Sequence, residues 1–135
     1  MFQQDYLLRQ FEQLGQVLAK VMGFKEKGDY KSAMEIMEHA SEKMLKEQLD
    51  FFEELPNKNF IETLLEKGTE NLEYLHIAAE LLFQKADIQL KENNEEKAIS
   101  NLKKALMLFE YVQMNDTTYS LDRDFKIAII KKILN

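Results

Sequence analysis

Residues 27–40, KGDYKSAMEIMEHA, decide how the chain is read. Gly28 offers the left-handed backbone that closes a helix, and Asp29 offers a side-chain oxygen that opens the next. Ala33 and Ala40 lie two helical turns apart, so they share one face with Met37 between them. Small residues on such a face let a second helix lie close against the first. The stretch predicts a tight turn between two antiparallel helices.

Upstream, Leu7, Phe11, Leu14, Leu18 and Val21 alternate steps of four and three, which predicts an amphipathic helix over about 5–27. Tyr6, Leu8, Val17, Met22 and Phe24 widen its apolar arc to roughly 200°, about twice the usual stripe of a surface helix. Such a helix should be covered on more than one side. Gly15, Ala19 and Gly23 recur every fourth residue and predict a close helix approach within the fold.

Downstream, a second helix is expected over about 30–49, with Tyr30, Ala33, Met37, Ala40 and Met44 on one face. Met34, Met37 and Met44 share one of its sides and read as core filler. Pro56 interrupts the pattern after 51–55, Asn57 or Asn59 can cap a short helix over 60–67, and Gly68 ends it. A longer helix over about 70–92 turns Leu72, Leu75, Ala79, Leu82, Phe83, Ala86 and Leu90 inward. The last helix, over about 121–134 behind a cap at Ser120 or Asp122, carries Phe125, Ile129, Ile130, Ile133 and Leu134. Its apolar side chains surround most of the helix, more than a terminal cap with a solvated outer face requires. With the broad arc of the first helix, this points to a surface that meets another protein chain, most simply in a homodimer.

The opening stretch returns at residues 91–106, KENNEEKAISNLKKAL, where Asn93-Asn94 precede Ala98 and Ala105 as Gly28-Asp29 precede Ala33 and Ala40. The offset of 65 residues is close to two periods of a helical repeat of about 34 residues, with a degenerate unit between the copies. No linker or low-complexity run interrupts the chain, so residues 1–135 read as a single all-α domain of about six helices in antiparallel pairs.

The two passages resemble halves of tetratricopeptide repeats, Gly28-Asp29-Tyr30, Ala33 and Ala40 closely and Asn93-Asn94, Ala98 and Ala105 less so. Neither copy has the proline that usually closes such a repeat, nor the aromatic expected early in its first helix. Residues 5–9, then Glu12-Gln13-Leu14 and Leu18-Ala19, with the later hairpins, are similar to a family of small bacterial helical proteins that carries no assigned activity. The repeat resemblance implies a tetratricopeptide-like array with a partner groove lined by Leu18 and Met22 from the first pair and by Phe83, Asp87 and Leu90 from the second. Those side chains are apolar or acidic, which suits an amphipathic helix or an apolar peptide and not a clamp for a peptide carboxylate.

Composition narrows the function. One proline and four glycines in 135 residues leave few helix stops, and the absence of cysteine removes disulfides, thiol nucleophiles and thiolate metal sites while fitting a reducing cytoplasm. A formal charge of −6 argues against a nucleic-acid partner. The N-terminal run has an acid at Asp5 and no basic segment before an apolar core, so it does not read as a signal peptide. No apolar run approaches the length of a membrane span.

Glu73 and His76 have the Glu-x-x-His spacing of carboxylate-bridged di-iron bundles, but that site needs a second such motif and the sequence has none. His39, with Glu35 and Glu42 one turn to either side, reads as a solvated salt-bridge face. No nucleophile–base pattern or glycine-rich phosphate loop is present, so no catalytic, cofactor-binding or metal-binding residue is assigned. The sequence therefore points to a non-catalytic interaction or scaffold module with a protein or peptide partner. The alternatives are a small carboxylate-based or metal-dependent enzyme and a sensor that binds an apolar ligand between helices.

Overall fold

The computed structural model describes residues 2–118 and 120–135, and side chains from residue 9 onward. The readings placed on Tyr6, Leu7 and Leu8 lie outside the described side chains. The described residues form seven α-helices and no strand: α1 (Phe2–Glu26), α2 (Tyr30–Leu45), α3 (Leu49–Glu54), α4 (Phe60–Glu66), α5 (Leu72–Lys91), α6 (Glu95–Asn115) and α7 (Leu121–Leu134). This is the expected all-helical, tetratricopeptide-like arrangement. The chain divides into two compact units, residues 1–48 and 49–135.

In the first unit α1 and α2 form a hairpin. Gly28, at φ 74°, donates its N–H to the carbonyl of Lys25 at 3.0 Å, and Asp29 donates to Phe24 at 2.9 Å. Those two bonds satisfy the last carbonyls of α1. Asp29 then caps α2, one carboxylate oxygen accepting from the Ser32 N–H at 3.1 Å and the other from the Ser32 hydroxyl at 2.7 Å. These bonds hold the Asp29 carboxyl below its ordinary pKa. Ala33, Met37 and Ala40 are buried as predicted, whereas Tyr30 and Met44 are half-buried.

Two expectations for this unit fail. The second helix stops at Leu45 and not near residue 49, because Lys46 takes the left-handed conformation at φ 59°. The buried Ser41 hydroxyl answers the turn by donating to the Glu47 carbonyl at 2.6 Å. Gly15, Ala19 and Gly23 do not mark a close helix approach: Gly15 and Ala19 are exposed, and a Cβ added at Gly15 or Gly23 would meet nothing within 4 Å.

In the second unit α5 and α6 form the main hairpin, with α4 and α7 packed on α6. Its turn reproduces the backbone bonds of the first, although Asn94 makes no side-chain cap bond of the kind Asp29 makes. Asn93, at φ 60°, donates to Leu90 at 3.2 Å, Asn94 donates to Gln89 at 2.8 Å, and the Ala98 N–H reaches the Asn94 carbonyl as that of Ala33 reaches Asp29. The degenerate unit between the copies consists of α3 and α4, six and seven residues long and too short to make a repeat pair. Asn57 does not cap α4. Its side chain instead bonds α6, accepting from the Ser100 hydroxyl at 3.0 Å and donating to the Ser100 carbonyl at 3.2 Å.

α5 is buried on almost every side, which accounts for its run of apolar residues with no clean stripe. Its buried polar side chains include Gln89 and Glu80, both tied to neighbouring helices. Gln89 accepts from Asn101 of α6 at 2.9 Å, and Glu80 accepts from Lys126 of α7. A third tie runs from the half-buried Lys85 to Glu53 of α3. Glu53 also accepts from Asn101 at 2.9 Å, and its carbonyl accepts from the buried Lys104 at 3.1 Å. Burial without such partners would cost each polar group about 1–3 kcal/mol.

Candidate functional site

A single stripe runs along α5 through His76, Glu80, Phe83, Asp87 and Leu90, at the three- and four-residue spacings that share a helical face. Its N-terminal half is tied to α7. Glu80 is 1% exposed beneath Lys126, and burial raises its carboxyl above the ordinary range, with Lys126 acting in the opposite direction. His76 stands edge-on to Phe109 of α6, their ring centroids 6.0 Å apart. Burial, aided by the nearby charges of Arg123 and Lys126, lowers its pKa to about 4.

The C-terminal half of the stripe is more open. Phe83, Asp87 and Leu90, three of the five residues predicted to line a partner groove, share this face and are half-buried. Asp87 accepts from Lys91 at 2.9 Å in an exposed pair one turn along the helix, a contact worth a few tenths of a kcal/mol. The other two, Leu18 and Met22, lie one turn apart on α1, half-buried and 49% exposed respectively. The α1–α2 hairpin carries its own groove of about 370 Å³, with Val17, Ile36 and Met44 among Lys20, His39 and Lys43.

The Glu73–His76 pair does not assemble a metal centre. Glu73 is half-buried, its carboxyl raised by burial and by Asp116, and a lowered pKa keeps His76 neutral against Phe109. Among the described residues no group of three or more His, Cys, Asp or Glu side chains is placed to hold a metal ion. Among the same residues no helix is long and apolar enough to cross a membrane.

The buried polar residues of the second unit escaped the sequence reading. Arg123, 5% exposed, gathers the α6–α7 connection by donating to Gln113 at 2.7 Å, Asp116 at 3.2 Å and the Thr118 carbonyl at 3.2 Å. The one available signal was the position of Glu80, set among Ala78, Ala79, Leu81 and Leu82.

Residues 79–115 match the tetratricopeptide repeat. The match spans most of α5 and all of α6, the hairpin whose turn fitted the pattern less well by sequence. Ala79, Ala86, Ala98 and Ala105 of this hairpin are all fully buried, as Ala33 and Ala40 of the first are buried, whereas Gly15 and Ala19 of α1 are exposed. The chain matches no curated protein and no solved structure.

Proposed function

We propose that the chain is a non-catalytic protein-interaction module, with residues 1–135 acting as one self-associating domain in a bacterial cytoplasm. The observation that carries the reading is the half-open Phe83–Asp87–Leu90 stripe on the first helix of the matched repeat hairpin. Two apolar side chains flanking one acid suit an amphipathic helix that buries its apolar face and sets a basic residue near Asp87. Leu18 and Met22 offer a second apolar patch on the first helix of the other hairpin. The tetratricopeptide match supports a protein partner over a small substrate.

Fluorescence anisotropy against a panel of amphipathic helical peptides tests the reading. Peptides with an apolar face and flanking Lys or Arg should bind, and Phe83→Glu should weaken them at least tenfold. Equal binding by the wild type and Phe83→Glu, or no binding by any peptide, would overturn the α5 site.

A further inference from the structure

The outer face of α7 is apolar where the open face of a surface helix ordinarily carries polar side chains. Leu121 is 73% exposed and Phe125 64%, and Ala128 is exposed as well. These residues are spaced four and three apart, the seam spacing of a helix pair, and the exposed Lys132 continues the series. Leu121, Phe125 and Ala128 line one open depression together with Asp124 and Lys131.

Asp124 and Lys131 lie two turns apart, so they stand on the same edge of the seam with the acid toward the N-terminus and the base toward the C-terminus. That order is self-complementary in one orientation only. In a two-fold parallel pair the Asp124–Lys131 edges of the two copies would lie on opposite sides of the interface, so neither charge would meet its complement. Packed antiparallel about a two-fold axis, Asp124 of each copy meets Lys131 of the other, and the axis falls near Ala128, whose small side chain permits close approach. Phe125 then packs beside Ala128 of the second copy, and the stem of Lys132 covers Leu121.

We infer that α7 is a homodimerisation helix that pairs antiparallel with α7 of a second copy through Leu121, Phe125 and Ala128. The inference gives a surface to the self-association proposed above and rests on that reading. A helix of 14 residues is about 21 Å long, and a seam of that length buries less than the roughly 800 Å² per partner of a standard stable interface. The dimer is therefore concentration-dependent, with a midpoint at micromolar or higher concentration.

Sedimentation of the full chain over about 1–500 μM tests it. The wild type should shift from monomer to dimer, and Phe125→Asp, at an exposed position that folding does not need, should move the midpoint at least tenfold. Asp124→Lys and Lys131→Asp should each weaken the dimer severalfold, and the double swap should restore it. The Asp124–Gln113 bond and the Lys131–Glu110 pair that these changes remove are exposed contacts of small worth, and thermal melting checks that each variant folds. Because the chain has no cysteine, Ala128→Cys should cross-link to its own mate on mild oxidation, whereas Leu121→Cys, about 20 Å from its mate in the antiparallel pair, should not. A monomer throughout overturns both the pairing and self-association. A dimer indifferent to Phe125→Asp overturns the α7 interface and leaves the interaction-module reading standing, and equal cross-linking at both cysteines overturns the antiparallel orientation.

Discussion

Lys126 of α7 donates to both carboxylate oxygens of Glu80 on α5, and the carboxylate it neutralises is 1% exposed. The pair joins α7 to a helix that it does not follow directly in the chain. Lys126 also reaches Asp122 one turn earlier at 3.1 Å, so the ammonium stands between a buried acid and an exposed one.

Removing one member of the pair should cost far more than removing both. Lys126→Met leaves a buried carboxylate without its cation and should destabilise the chain by about 3 kcal/mol, whereas the Glu80→Met, Lys126→Met double variant should come within about 1 kcal/mol of the wild type. Urea denaturation of the four proteins in the cycle measures the coupling. Equal losses in the single and double variants would show that the pair contributes only packing.

His76 makes stability depend on pH. Its native pKa of about 4 lies below the unfolded value of 6.5, so between those values the unfolded chain binds a proton that the native one refuses. The stabilisation is complete above the unfolded pKa and is lost as pH falls toward 4. Glu80, raised by burial, acts in the opposite sense by favouring the native state at lower pH, so the two partly cancel in the wild type. His76→Leu isolates the histidine. The stability difference between wild type and variant should shift by about 2–3 kcal/mol against the wild type between about pH 7 and about pH 4.5. A constant difference would mean that His76 titrates normally.

Glu53 and Lys104 give a contrast within one cluster. The Lys104 ammonium lies 5.6 Å from the Phe60 ring centroid and bonds the Glu53 carbonyl, with burial pulling its pKa down and the Glu53 carboxylate holding it up. Lys104→Met keeps the volume and leaves the Glu53 carboxylate its direct partner Lys85, so no buried acid is stranded and the change should be within about 1 kcal/mol of neutral. Glu53→Ala strips Lys85 and Asn101 of an acceptor and Lys104 of its counter-charge, and should cost about 3 kcal/mol. Chemical denaturation ranks the two, and the reverse order would refute the assignment of Glu53 as the centre of the cluster.

The hairpins were legible because their turns are written in local chemistry. Gly28-Asp29 and Asn93-Asn94 hold the residues that a left-handed step and a helix start prefer, and the buried alanines follow at fixed offsets. The polar cluster was not legible, because Glu53 meets Lys85, Asn101 and the backbone partner Lys104 from positions 32, 48 and 51 residues away. No periodicity connects such partners. Phe83, Asp87 and Leu90 were named together and do share one face of α5, but the tie of that face's N-terminal half to α7 through Glu80 was not legible, since it depends on where the chain returns after residue 120. Gly15, Ala19 and Gly23 misled for the same reason: their spacing is local, and whether anything packs on it is not.

The end of α2 had no local signal, and it offers the last test. Lys46 stands at φ 59°, where a side chain costs roughly 1 kcal/mol, while Gly28 stands at φ 74° in the same region at no such cost. Opposite substitutions should therefore have opposite signs. Lys46→Gly should stabilise the chain by about 0.5–1 kcal/mol. Gly28→Ala should destabilise it by about 1 kcal/mol, and since the added Cβ would meet nothing within 4 Å, that loss is conformational and not steric. Thermal melts of the two variants decide the matter, because a loss at Lys46→Gly would mean that the lysine side chain, and not its backbone, holds the α2–α3 turn.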